Sequence, residues 1–142
     1  MRVQIVNRYV QSACNVIGKE LGVPVVRGGL LLEGNPYTTE DVTAVIGVSG
    51  SLSGSLYLSM AEGVALAITA AILGQGMSEL DDLAQSGIAE MANVIAGTAG
   101  IELAEEGINT VIGPPLVLLG RGARLSTVEI QRLVVPLTTP HG

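Results

Sequence analysis

The 142-residue chain has a formal net charge of −6, with 48% hydrophobic and 14% charged residues, which is enough apolar material for one folded domain over 1–142. Its 7 basic residues form no stripe, which excludes a nucleic-acid-binding protein, since such proteins need clustered Lys and Arg. The longest apolar run, Val64 to Leu73, has 10 residues, about half of the ~20 that a membrane-spanning helix needs, so membrane insertion is also excluded.

The first half of the chain predicts one helix followed by three strands. Apolar residues recur at helical spacing from Val3 to Leu21, and Gly22 and Pro24 end this helix. The predicted strands are Val23–Leu32, Val42–Val48 and Leu52–Met60. The segment NPYTTED between the first two is predicted to be a loop. The sequence GVSGSLSGS is interpreted as a hairpin turn, because it lacks the Lys and the spacing of a phosphate-binding P-loop.

The second half predicts two helices followed by two strands. Ala61–Leu73 forms the first helix, and the second begins at the N-cap Ser78, with Asp81 completing a capping box, and ends at Gly107. The strands are Val111–Gly120 and Ile130–Leu137, with Ala123–Val128 as an optional short strand between them. The order αβββααββ predicts an α+β domain whose helices pack on an antiparallel sheet. The echo of NVIG (15–18) in NVIAG (93–97) suggests two diverged halves.

The long second-half helix separates into two faces when about 100° of rotation is assigned to each residue. Its predicted core face comprises Leu80, Leu83, Ala84, Gly87, Ile88, Met91, Val94, Ile95 and Thr98. Ser86, Glu90, Asn93 and Gly97 form a separate narrow row, here called the polar stripe, because residues three and four apart stack as neighbours on a helix.

Three glycines interrupt this helix, each at a cost of up to ~1 kcal/mol relative to Ala. Gly87 lies on the core face, where close packing against a sheet explains it. That explanation suits Gly97 and Gly100 less well. We therefore expect something to approach the surface of the helix closely beside the polar stripe.

The polar stripe has side chains suited to phosphoryl chemistry. An Asn amide is both acceptor and donor, so Asn93 could hold a water molecule and touch a phosphoryl oxygen. Glu90 could bind a Lys or Arg of a partner. Phosphoryl transfer depends mainly on positioning and charge stabilisation, so such a pair is chemically sufficient. From spacing alone, however, a solvated helix face is the simpler interpretation, because Glu-x-x-Asn is short and common.

The stretch SGIAEMANVIAG resembles the Asp/Ser-x-x-x-Glu-x-x-Asn pattern, followed about twenty residues later by Pro, of the CheC/CheX chemotaxis phosphatases. The later Pro is Pro114 or Pro115, with a slightly shorter spacing to the nearer one. The hairpin GVSGSLSGSLYLSM, the following Ala-rich helix and the closing strand VVPLTTPHG also resemble CheX. The resemblance implies Glu90 and Asn93 as the catalytic pair, with Ser86, Gly97 and the prolines in supporting or partner-binding roles.

The first helix departs from the pattern of CheC proteins, which typically carry a second copy of the motif there. Asn15 is present, but Ser12 occupies the Glu position and Arg8 the Asp/Ser position. This removes the carboxylate, so a single active face, as in CheX, is expected.

The resemblance also implies the partners. They are the phosphoaspartate of a CheY-type receiver domain, which would supply the Mg²⁺, and a second copy of the chain in a homodimer. No cofactor or metal of its own is expected. A homodimer would account for part of the high mean hydropathy of +0.53. With one cysteine and no signal-peptide pattern at the N-terminus, a cytoplasmic location is expected.

A docking function is the main alternative to the phosphatase. Flagellar switch proteins include CheC-like domains without the catalytic pair, so the chain could be a non-catalytic docking module for a response regulator or a switch component. The presence of both Glu90 and Asn93 favours the enzyme. A Ser-His-Asp triad or a histidine-based zinc site would have to use His141, the only histidine, beside the C-terminus, and both are improbable.

Overall fold

Helices and antiparallel strands make up the fold in the computed structural model, which describes residues 3–34, 37–126 and 131–142. The helices are α1 (Val3–Leu21), α2 (Glu62–Leu73) and α3 (Asp82–Glu105). The strands are β1 (Val26–Arg27), β2 (Leu31–Glu33), β3 (Tyr37–Thr38), β4 (Val42–Gly50), β5 (Gly54–Met60), β6 (Thr110–Ile112), β7 (Leu116–Leu119), β8 (Arg124–Leu125), β9 (Arg132–Val134) and β10 (Leu137–Thr138). The predicted α+β class is confirmed.

The strands of the two halves pair with each other in reverse order: β1 with β10, β2 with β9, β3 with β8, and β4 with both β7 and β6. All of these pairs are antiparallel. The three short two-stranded sheets β1–β10, β2–β9 and β3–β8, here called the ribbon, precede the four-stranded sheet that contains β4. Strand β5 pairs along the other edge of β4 through the predicted hairpin. The sheet is therefore widest at β4, where the helices pack.

Several predicted strands are shorter or divided. Val23–Leu32 contains β1 and β2, separated around Gly28, whose N–H donates to the carbonyl of Pro136. Val111–Gly120 is divided into β6 and β7 because Pro114 and Pro115 have no N–H to donate to a ladder. Two of these interruptions thus coincide with glycine or proline.

The predicted loop NPYTTED and the two predicted C-terminal strands also differ from the structure, and parts of them lie outside the described residues. The segment NPYTTED is not entirely a loop, since it contains β3, which pairs with β8. The optional strand Ala123–Val128 is reduced to β8, and Ile130–Leu137 contains β9 and β10, divided at Pro136. Positions 35–36 and 127–130 lie outside the described residues.

Helix α3 begins later than predicted. Its N-cap is Asp81 and not Ser78: the Asp81 carboxylate accepts a hydrogen bond from the Ala84 N–H at 2.8 Å. A carboxylate also interacts favourably with the positive end of the helix dipole, which a serine hydroxyl does less well. The predicted end is confirmed, since the helix stops at Glu105 and Gly107 has a φ of 81°.

The core lies between the sheet and the helices, and α3 is its centre. Helix α3 packs against α1, α2 and the strands β4, β6 and β7. The largest of its fully buried side chains are Ile88, Ile95 and Leu103, and alanines fill the closest approaches. The predicted core face is wrong for Leu83 and Val94, which are 50% and 42% exposed. Ala92, Ala96 and Ala99 are buried instead, because neighbours on three sides shift and widen the buried arc.

None of the helices in the described ranges combines the length with the apolar character that a bilayer crossing demands.

Asp41 connects the sheet to the start of α2. The N-cap residue of α2, Ala61, offers no side-chain acceptor, and Asp41 takes that role by accepting a hydrogen bond from the Glu62 N–H at 2.8 Å. Its other oxygen accepts from Arg121 Nε at 3.0 Å. The backbone donor, together with the Arg121 guanidinium, lowers the pKa of Asp41.

We predict that Asp41→Ala lowers the melting temperature at neutral pH, because it removes a helix cap and an ion pair. A lowered carboxyl pKa stabilises the fold above the ordinary value of 3.8 and loses this contribution as the pH falls through the native value. The deficit of the variant should therefore shrink in acid. Thermal unfolding followed by circular dichroism across this range tests it, with the exposed Glu79→Ala as control. Equal melting temperatures of variant and wild type at neutral pH would contradict the assignment.

Candidate functional site

The polar stripe lies on the outward side of α3. Ser86 and Glu90 are exposed, while Asn93 and Gly97 are partly exposed. Because α1, α2 and the sheet cover the other sides of α3, the polar stripe lies on the side that a partner can reach, together with the exposed Leu83, Val94 and Ile101. The four predicted residues are thus brought together on one accessible surface.

The side chains of the polar stripe differ in how far they are engaged. In the part of the chain that the structure describes, neither the carboxylate of Glu90 nor the amide of Asn93 has a hydrogen-bond or ion-pair partner. The hydroxyl of Ser86 donates to the carbonyl of Asp82 at 2.9 Å, within its own helix. Glu90 and Asn93 are therefore available for contacts with another molecule, whereas Ser86 can offer only its acceptor lone pairs.

The three glycines of α3 differ in what surrounds the position of the missing Cβ. A Cβ on Gly87 would lie 3.4 Å from Thr69 Cγ2, so it would contact α2, and not the sheet, at an ordinary van der Waals distance. A Cβ on Gly100 would lie 2.9 Å from Thr110 Oγ1, so Gly100 is explained by packing against β6, contrary to our expectation. A Cβ on Gly97 would meet nothing within 4 Å. Only Gly97 keeps open a space that the described chain does not fill.

An apolar groove adjoins the polar stripe at Gly97, with a volume of about 250 Å³. We name it the Gly97 groove; it is lined by Ala96, Gly97, Gly100, Ile101, Ala104, Thr110 and Ile112. Its α3 wall includes Ile101, which is 68% exposed and lies one turn beyond Gly97. No charged residue lines the groove.

A smaller notch of about 60 Å³ lies at Glu90, where α1, α2 and α3 meet. Val16, Ile72, Met91 and Val94 supply its apolar lining, and Glu20 of α1 lies at it together with Glu90. Glu20 carries no local signal in the sequence. It reaches this position because α1 runs antiparallel to α3, which brings the end of α1 beside the middle of α3.

Pro114 and Pro115 lie between β6 and β7 and line neither the groove nor the notch. Their structural effect is to interrupt the strand, while the Gly113 N–H still donates to the carbonyl of Gly47 at 2.9 Å. Ile112, two residues before Pro114, does line the Gly97 groove. A partner-binding role of the prolines stays a prediction.

The corresponding positions of α1 do not form a second stripe. Ser12 is only 2% exposed, and its hydroxyl donates to the carbonyl of Ile95 on α3 at 2.7 Å. Asn15 is exposed, as its counterpart Asn93 partly is. The place of a catalytic carboxylate in α1 is therefore taken by a buried contact between the two helices.

Arg8, the remaining position of that pattern, forms ion pairs with Glu102 and Glu106 at the end of α3. These two glutamates are thus engaged with α1. The Arg8 guanidinium compensates their charge at the negative end of the helix dipole, and the two carboxylates in turn raise the pKa of Arg8.

Within the described ranges, no three His, Cys, Asp or Glu side chains are grouped closely enough to hold a metal ion. What the site offers is an unpaired carboxylate, an unpaired carboxamide and open apolar surface on both sides of them.

Comparison with known proteins gives the same family from sequence and from structure. Residues 42–138 match the family model described as chemotaxis phosphatase CheX. The chain is 32% identical over 132 residues to the CheY-P phosphatase CheX of Thermotoga maritima, covering 92% of this chain and 84% of that protein. The crystal structure of CheX from Desulfovibrio desulfuricans superposes with a TM-score of 0.88 at 26% identity, covering 99% of this chain and 94% of that one.

A third similar structure is that of a complex of CheX, CheY, BeF3 and Mg²⁺ from Borrelia burgdorferi. Its matching chain is 23% identical with a TM-score of 0.80, covering 99% of this chain and 93% of that one. At this level of identity the likeness establishes the fold.

We predict different effects of two alanine substitutions in α3. Gly97→Ala should stabilise the protein by up to ~1 kcal/mol, because alanine favours helix and its Cβ meets nothing. Gly100→Ala should gain less or lose stability, because its Cβ would lie 2.9 Å from Thr110 Oγ1. Chemical denaturation of both variants beside the wild type measures the difference. Equal stabilisation by the two would show that Gly100 is not set by contact with β6.

Proposed function

The chain belongs to the CheX family of chemotaxis phosphatases, and from this premise we propose that it hydrolyses the phosphoaspartate of a CheY-type receiver domain. The observation that carries the proposal is the pair of unengaged side chains, Glu90 and Asn93, on the accessible strip of α3. The names of the Thermotoga relative and of the Borrelia complex support the choice of partner, since one is a CheY-P phosphatase and the other contains CheY.

Asn93 orients the attacking water in this proposal. Its amide oxygen accepts a hydrogen bond from the water, and its NH₂ group donates to a phosphoryl oxygen. The water oxygen bonds to phosphorus while the bond from phosphorus to the aspartyl oxygen breaks. The products are the receiver's aspartate carboxylate and inorganic phosphate, which carries both hydrogens of the water. No covalent intermediate on this chain is needed.

Glu90 binds the ammonium group of a receiver lysine and so fixes the register of the two proteins. A charge-assisted contact of this kind is among the stronger hydrogen bonds. The unpaired state of Glu90 supports this role, because no intramolecular cation among the described residues competes for it. Glu20 at the same notch adds negative potential that favours approach of a basic group.

The remaining parts of the proposal concern the surroundings of the reaction. The receiver supplies the Mg²⁺, and this chain contributes no metal or cofactor. A cytoplasmic location belongs to the same proposal, as do supporting roles for Ser86, Gly97, Pro114 and Pro115.

The decisive experiment follows a phosphorylated CheY-type receiver in the presence of Mg²⁺ with and without the protein. We expect faster loss of the phosphoryl group with the wild type. Asn93→Ala should lower the turnover rate by about 100-fold or more, because an orienting donor and acceptor is lost, while the affinity for the receiver persists. Asn15→Ala is a matched control, since it removes an exposed Asn from the corresponding place on α1.

Glu90→Ala should weaken both binding and turnover, with the exposed Glu105→Ala of the same helix as its control. Full activity of Asn93→Ala would refute the water-orienting role. If a receiver binds but its dephosphorylation is never accelerated, the chain is a docking module and the enzymatic proposal fails.

We further propose that the protein is a homodimer. Large apolar side chains stay exposed on the ribbon, among them Val26, Leu31 and Leu32. Two-stranded ribbons are marginally stable alone in water, so cover by a second copy would stabilise this one.

Sedimentation equilibrium should therefore give about twice the chain mass of 14.5 kDa. Leu32→Glu should shift the protein towards the monomer, because it places a charge in the apolar contact. Val3→Glu, at an exposed aliphatic position of α1, is the control. A monomeric wild type at high concentration would contradict the dimer.

A further inference from the structure

The Gly97 groove combines three properties that internal packing leaves unexplained. It contains a helix-interior glycine whose missing Cβ would meet nothing within 4 Å, unlike Gly87 and Gly100. It has an exposed aliphatic wall at Ile101. It lacks any charged lining residue. A helical glycine that costs stability and serves no internal contact is expected where another molecule comes close.

The size and lining of the groove indicate what it takes. Its volume of about 250 Å³ is below the range of about 300–1,000 Å³ typical of small-molecule pockets, and it is open to the surface. Its single hydroxyl, on Thr110, already lies close to Gly100. Such a site fits one apolar side chain of a protein partner, the kind of buried anchor that dominates binding energy at interfaces.

The position of the groove indicates which partner supplies that side chain. Gly97 belongs both to the groove and to the polar stripe, one turn from Asn93. A second copy of this chain seated in the groove would cover Gly97 and obstruct access to Asn93. For a receiver docked on Glu90 and Asn93, by contrast, the groove is continuous with the contact surface, because Gly97 belongs to both.

We therefore propose that the Gly97 groove receives an apolar side chain of the phosphorylated receiver and selects which receivers are substrates. This inference rests on the proposed function. The polar stripe performs the chemistry, which any phosphoaspartate could undergo. The groove distinguishes receivers with an apolar residue beside their phosphorylation site from those with a charged one, because a charge would be desolvated there without a partner.

The test uses full-length protein and a panel of CheY-type receivers held in the active form by BeF3 and Mg²⁺, which binds without hydrolysis. Gly97→Leu fills the groove and Ile101→Ser removes its wall. Each should raise the Kd by about ten-fold or more, as loss of an interface anchor does. The conservative variant Ile101→Leu should bind with the affinity of the wild type. Gly63→Leu, at an exposed glycine in the first turn of α2 and outside the groove, should bind as the wild type does.

Parallel measurements separate this inference from the proposed function. If the wild type dephosphorylates a receiver but Gly97→Leu and Ile101→Ser bind it with unchanged Kd, the groove inference is wrong and the phosphatase stands. If these variants alter the dimer in sedimentation and not the Kd, the occupant is a second copy and the inference is also wrong. If the wild type binds no receiver of the panel, both the groove inference and the phosphatase proposal are wrong.

Discussion

The enclosure of α3 is the constraint on which the rest of the structure depends. This helix packs against α1, α2 and the strands β4, β6 and β7, so only one strip of it remains accessible. The buried side of the helix combines large side chains, Ile88, Ile95 and Leu103, with the small ones of Ala84, Ala92, Ala96 and Ala99. The same enclosure fixes the helix rigidly. A reactive side chain on its free strip is therefore held in place by the core and not by a flexible loop.

The contact between α1 and α3 explains how an internally repeated pattern yields a single candidate site. Ser12 of α1 donates its hydroxyl to the carbonyl of Ile95, in the buried interface between the helices. A glutamate at that position would place a charge in this buried interface, beside a carbonyl oxygen that cannot donate to it, which is costly. Arg8 is committed to the end of α3 through Glu102 and Glu106. Helix α1 thus supports the candidate site, and α3 carries its side chains.

In the function proposed here, the polar stripe carries the chemistry and the adjoining Gly97 groove carries the recognition of the partner. Glu90 and Asn93 are polar, accessible and unengaged within the described chain, as groups that meet a reacting phosphoryl centre must be. The groove beside them is apolar and uncharged, which suits selection among related partners. Because Gly97 belongs to both the polar stripe and the Gly97 groove, the two surfaces adjoin within one helical turn.

The sequence by itself determined the helices α1 and α3, the hairpin of β4 and β5, the α+β class and the membership of Ser86, Glu90, Asn93 and Gly97 in one row. These follow from periodicity and from glycine and proline positions, which are local properties. Only the tertiary structure decided that Leu83 and Val94 are exposed, that Gly100 belongs to packing while Gly97 stays open, and that Glu20 lies beside Glu90. Each of these depends on which element packs against which side of α3. Such contacts join residues distant along the chain, and local patterns do not encode them.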